Sequence, residues 1–124
     1  MRQIRVVWVD DDPYLRHIAR RFLEQAGELA MLEMTDTQHA RDVILQTRPE
    51  VVVMDMDRAK SDVLDTIGGL RACAPTLPII ALTWFDADCY HQAALAAGAT
   101  ALVTKDSLHT ELVPCIHRVV KSHA

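Results

Sequence analysis

The sequence predicts an α/β fold in which a parallel sheet is covered by helices on both faces. Two observations point there. Short apolar runs such as "VVVMD" and "IIALT" lack the polar alternation of a half-exposed strand, so they belong to strands buried on both sides. These runs alternate along the whole chain with segments of helical periodicity, which is the order of elements in βα units.

Ile4 to Val9 is the first such strand. Leu15, Ile18, Ala19, Phe22 and Leu23 then recur at helical spacing, and Gly27 is placed to stop that helix. A weaker strand, Leu29 to Met34, precedes a helix expected to open near Asp36 or Thr37 with Ala40, Val43 and Ile44 inward. Pro49 separates it from "VVVMD". Gly68 and Gly69 lie inside the third helix at about 1 kcal/mol each relative to alanine, so that helix is expected to be short or loose. Pro75 and Pro78 bracket the entry to "IIALT"; Asp86 is a candidate cap for the fourth helix, which stops at Gly98. "ATALVTK" is the fifth strand, and the last helix carries Leu112, Val113, Ile116, Val119 and Val120. Pro114 is expected to bend that helix or delay its start.

The 124 residues, 50% of them hydrophobic, suit one globular domain with one core, residues 1–124. The net charge of -4 and the scattered lysines and arginines offer no field for wrapping nucleic acid. No apolar run reaches the length of a membrane span, and the first residues lack a secretory signal pattern. Cys73, Cys89 and Cys115 are odd in number and far apart, which suggests reduced thiols in a cytoplasmic protein instead of a disulfide framework or zinc site. No pair of histidines has metal-binding spacing in a suitable context.

In a parallel sheet with right-handed crossovers, the residues that end the strands collect at one edge. Here "VDDD", "VVMD", "ALT" and "VTK" bring Asp10, Asp11, Asp55, Thr83 and Lys105 to that edge. In a flavodoxin-like sheet of order 2-1-3-4-5 with five helices, the first and third strands are neighbours, and the acidic pair faces Asp55. Asp12, directly before Pro13, is a helix cap instead. Three clustered carboxylates repel by about 4 kcal/mol per close pair at an effective dielectric near 20, which calls for a cation. An all-oxygen donor set suits Mg²⁺, and Lys105 and Thr83 suit phosphoryl oxygens, leaving Asp55 as the nucleophile.

This ordered set resembles the receiver domain of two-component response regulators, CheY-like, over essentially the whole chain. The resemblance implies that Asp55 accepts a phosphoryl group from a histidine kinase or histidine phosphotransfer protein. It implies that Asp10, Asp11, Asp55 and the backbone carbonyl of Asp57 hold Mg²⁺, and that Thr83 and Lys105 bind the phosphoryl oxygens. They would report the change to a surface of the fourth helix, fifth strand and fifth helix, for an effector or a phosphorylation-dependent homodimer. Beyond self-catalysed phosphorylation and dephosphorylation, no enzymatic activity is implied. A stand-alone receiver and the amino-terminal part of a longer regulator read alike.

Several positions depart from the family pattern. Ala59 stands where a proline is usual, and Asp62-Val63 where an Asp-Gly turn is usual. Lys105 is followed by Asp106 instead of proline, so a trans peptide is expected. That "KD" pair looks like receivers that precede LuxR-type output domains. Leu102 replaces the usual switch aromatic. Trp84 follows Thr83 where a small residue is usual; it either lids the site or folds against the fourth helix near Tyr90 or His91. Asp57 is either a solvated loop carboxylate or a direct influence on metal affinity or hydrolysis. Two other functions remain open. "VVVMDMD" also resembles the first motif of haloacid-dehalogenase-type phosphatases, with Asp57 as acid/base, although Ala59 and the position of the acidic pair fit that family badly. The altered loop and Trp84 would also suit a phosphorylation-independent docking module.

Overall fold

The computed structural model describes residues 2–57 and 62–122. Ala59 therefore lies outside the described residues, as does any effect of the proline it replaces. The elements are β1 (Ile4–Val9), α1 (Pro13–Gln25), β2 (Leu29–Thr35), α2 (Ala40–Thr47), β3 (Val51–Asp55), α3 (Val63–Cys73), β4 (Ile79–Thr83), α4 (Asp88–Ala97), β5 (Ala101–Thr104) and α5 (Leu108–Ser122), with a 3-10 turn at Lys105–Ser107. The sheet order is β2-β1-β3-β4-β5, and every pairing is parallel.

Successive strand residues divide between two cores, as the period of two requires. Val6, Trp8, Val53, Ile80 and Leu82 pack with α1 and α5 through Leu23, Leu112 and Ile116. Val7, Val9, Val52, Met54 and Ile79 pack with α2, α3 and α4 through Ile44, Ile67, Leu70 and Ala94. Burial on both faces explains the unbroken apolar runs. β2 is the partly exposed edge strand, and its register with β1 slips between Val6 and Val7, which accounts for its weaker pattern.

Local chemistry explains where the elements begin. Asp12 caps α1 by accepting the Tyr14 N–H at 3.0 Å, with Pro13 in the first turn. The third helix runs a full eleven residues, contrary to the expectation that its glycines would shorten it. Asp62 caps it, accepting the N–H groups of Leu64 and Asp65, and a Cβ on Gly68 would sit 3.7 Å from the Ala97 carbonyl of α4. Tertiary packing thus overrides intrinsic propensity.

Three other expectations are corrected. The second helix opens at Ala40, because Asp36 accepts the His39 N–H at 2.8 Å and holds residues 37–39 in a turn. Asp86 does not cap α4; Ala87 occupies the cap position, and Asp86 lies 3.3 Å from His91 Nε2. α5 starts at Leu108, well before Pro114, which sits in the helix interior and forgoes one hydrogen bond there instead of delaying the start. Among the described residues no peptide bond is cis, so the Lys105–Asp106 bond is trans as expected.

Gly98 ends α4 with φ +123°, and a Cβ there would lie 2.9 Å from the Arg71 Cβ. The Arg71 guanidinium donates to the carbonyls of Gly98, Ala74 and Pro75, so it ties the end of α3 to the turn before β5. Gly98→Ala is expected to cost about 2 kcal/mol, from strained backbone and the displaced Arg71 stem, read as a lower urea midpoint.

Candidate functional site

Parallel register brings the strand ends together. Val9 pairs with Met54, so Asp10 and Asp55 follow side by side; Asp55 pairs with Leu82, and Thr83 with Thr104, the residue before Lys105. All the residues expected at the edge are therefore there. Their side chains make three separate groups.

Asp10 is fully buried. It shares a sheet face with Trp8, whose Nε1 donates to Asp10 Oδ2, and Arg16 on the first turns of α1 donates from Nε at 3.1 Å to Oδ1. Arg16 Nη2 also lies 3.0 Å from that oxygen and donates to the Asp10 carbonyl at 2.8 Å. Burial raises the Asp10 pKa, with the Trp8 and Arg16 contacts opposing it. Asp11 turns elsewhere: it accepts the backbone N–H of Thr37 at 3.0 Å and the Thr37 hydroxyl at 2.7 Å.

Asp55 forms the third group, with Asp57, Thr83 and Lys105. It is 1% exposed. Its Oδ1 accepts Lys105 Nζ at 2.6 Å and the Asp57 N–H at 2.9 Å, while its buried Oδ2 has no hydrogen-bond partner. Burial raises the Asp55 pKa; Lys105 and the Asp57 N–H pull the other way.

Asp57 is not a solvated loop carboxylate. Its Oδ1 accepts the Thr83 hydroxyl at 2.8 Å, and its Oδ2 accepts the Trp84 N–H at 2.9 Å and lies 3.0 Å from Lys105 Nζ. Three donors from β4 and the end of β5 thus converge on one anionic group, an arrangement suited to carboxylate or phosphoryl oxygens. A cleft of about 520 Å³ lined by Asp12, Met56, Phe85 and Tyr90 opens beside Asp57 and Lys105.

The Trp84 ring stands over Lys105, its centroid 5.9 Å from Nζ, on the side where Leu15, Ile18 and Leu108 also line a groove. Trp84 also borders the cleft lined by Phe85 and Tyr90, and Phe85 stacks on Tyr90 of α4 at 4.9 Å between centroids. Trp84 remains 60% exposed.

Among the described residues no three histidine, cysteine, aspartate or glutamate side chains form a group that could hold a metal ion. The donor set is nevertheless all oxygen, which suits a hard cation: Asp10 and Asp55 follow side by side in the sheet register. Trp8, Arg16, Thr37 and the Trp84 N–H were not anticipated from sequence. Of these only Trp8 left a signal, two residues before Asp10 and so on the same strand face.

Residues 6–117 match the family model of the response regulator receiver domain. The chain belongs to that family. It is 34% identical over 110 residues to the response regulator MprA of Mycolicibacterium vanbaalenii, covering 89% of this chain and 47% of that protein. It is 27% identical over 125 residues to the uncharacterized transcriptional regulatory protein YxjL of Bacillus subtilis, covering 98% of this chain and 56% of that protein. The receiver thus spans about half the length of these relatives. Among solved structures, a LuxR-family two-component response regulator from Aurantimonas superimposes with a TM-score of 0.89 at 27% identity, covering 97% of this chain and 86% of that one. As a receiver, the chain is a signal-transduction module, and the flavodoxin-like order expected from its sequence is the order observed. Among the described residues no helix is long and apolar enough to cross a membrane.

Proposed function

We propose that this receiver accepts a phosphoryl group on Asp55 from a histidine kinase or histidine phosphotransfer protein. The observation that carries the proposal is the state of the Asp55 carboxylate: Oδ1 is held by Lys105 and the Asp57 N–H, and Oδ2 is buried without a hydrogen-bond partner. One oxygen is anchored and the other is available as nucleophile. Asp55 Oδ2 forms a bond to phosphorus as the bond between phosphorus and the donor's imidazole nitrogen breaks, and that nitrogen keeps the electron pair. Thr83 and Lys105 bind the transferred oxygens.

Asp10, Asp11, Asp55 and the Asp57 carbonyl would hold Mg²⁺, which when bound offsets the carboxylate charge and polarises a phosphoryl oxygen. Arg16 pairs with Asp10, and Lys105 pairs with Asp55.

The response is read at the surface of α4, β5 and α5, where Tyr90 and Leu95 are exposed and Leu102 packs against the second core. Similarity to the transcriptional regulatory protein YxjL, whose length this receiver covers by about half, supports an effector that acts in transcription, and the net charge of -4 supports no nucleic-acid contact by this domain itself. A phosphorylation-dependent homodimer through the same surface is part of this proposal.

Incubation with phosphoramidate and Mg²⁺ is expected to add one phosphoryl group, seen by intact-mass analysis and absent from Asp55→Asn. An adduct surviving in Asp55→Asn would reject Asp55 as acceptor. No adduct on either protein, or on Trp84→Ala, would favour the docking module. The phosphatase alternative is set aside by the family match, and the Asp57 carboxylate it needs as acid/base is engaged by Thr83, Trp84 and Lys105.

A further inference from the structure

We propose that the Asp57 carboxylate is an internal competitor for the phosphoryl group, holding the donors that would receive the transferred oxygens until it is displaced. This rests on Asp55 being the acceptor. Thr83 Oγ1, the Trp84 N–H and Lys105 Nζ approach one common group among the described residues, the Asp57 carboxylate, at 2.8, 2.9 and 3.0 Å. Those donors come from β4 and the end of β5, whereas Asp57 arrives from the loop after β3. They therefore form a cradle that the fold assembles independently of the group now in it.

Two features make Asp57 an effective competitor. It is two residues from Asp55, and its own N–H donates to Asp55 Oδ1 at 2.9 Å, so its carboxylate is tethered at high effective concentration. Lys105 Nζ is also shared, 2.6 Å from Asp55 Oδ1 and 3.0 Å from Asp57 Oδ2. An incoming phosphoryl group must take over that ammonium while Asp57 still carries negative charge, and like charges on one donor set repel. The adjoining cleft beside Met56, Phe85 and Tyr90 is the space into which the displaced carboxylate can swing. Asp57 thereby sets how readily small phosphodonors react, and it favours a protein donor whose docking displaces it.

The test compares wild type with Asp57→Ala and Asp57→Asn, both of which keep the backbone N–H on Asp55. With phosphoramidate and Mg²⁺, adduct formation on Asp57→Ala is expected to be about tenfold faster than on wild type, the scale of losing one hydrogen bond to a charged group. Asp57→Asn, similar in shape but neutral, should fall between them and covers the case in which the alanine protein folds poorly. Equal or slower labelling of both folded variants overturns the competitor. If no protein is labelled, the acceptor assignment fails on its own account, and titration with sulfate, followed at the Trp84 amide by NMR, still decides about Asp57. A response at about tenfold lower sulfate in Asp57→Ala supports competition for the cradle. The same concentration, or no response in either protein, rejects it.

Discussion

Lys105→Ala is expected to destabilise the protein by about 4 kcal/mol at neutral pH, because it strips the cation from a buried ion pair and leaves the carboxylates behind. The Lys105 side chain is 4% exposed and serves both Asp55 and Asp57. Among the described residues, replacement by a small apolar group leaves Asp55 with the Asp57 N–H alone on its ionised carboxylate. The loss should depend on pH in a stated direction. Burial already raises the Asp55 pKa and Lys105 opposes that rise, so removing Lys105 raises it further. A carboxyl whose folded pKa exceeds its unfolded value, about 3.9, contributes stability that is complete below the unfolded pKa and lost as pH rises through the folded one. The deficit of Lys105→Ala should therefore be largest at neutral pH and shrink as the solution is acidified toward about pH 5. Urea midpoints for variant and wild type at the two pH values measure this. A deficit of the same size at both would mean that packing of the lysine stem, under the Trp84 ring, carries the effect.

Trp8→Ala should cost a similar amount, about 4 kcal/mol, through the cavity it leaves in the core shared by α1 and α5. Trp8 is fully buried, and its indole N–H is one of the donors that stabilise buried Asp10. Trp8→Phe keeps most of the apolar volume and removes the donor, and it should cost about 2 kcal/mol. The pair of variants separates packing from carboxylate solvation, with urea slopes expected to match wild type. If Trp8→Phe proved as stable as wild type, Arg16 alone would suffice to hold Asp10.

These two positions show the limit of what could be read along the chain. The strands, their order, the cap at Asp12 and the strand-end residues Asp10, Asp11, Asp55, Thr83 and Lys105 were legible, because period, propensity and right-handed connection are properties of neighbours in sequence. The length of α3 was not, since its tolerance of Gly68 depends on α4 lying against it. The start of α2 at Ala40 was also missed, because Asp36 hydrogen-bonds the turn before it instead of capping the helix.

Sequence alone established that an α/β sheet would gather three aspartates, a threonine and a lysine at one edge, since each ends a strand that local apolar patterning defines. Which of them meet was settled by tertiary structure. Asp11 finds Thr37, and Asp57 finds Thr83, each across 26 residues of chain, while Arg16 and Lys105 divide their charge among carboxylates according to distances set by packing. A buried carboxylate takes whichever donors the fold presents, and that choice is made in space, beyond the reach of spacing along the chain.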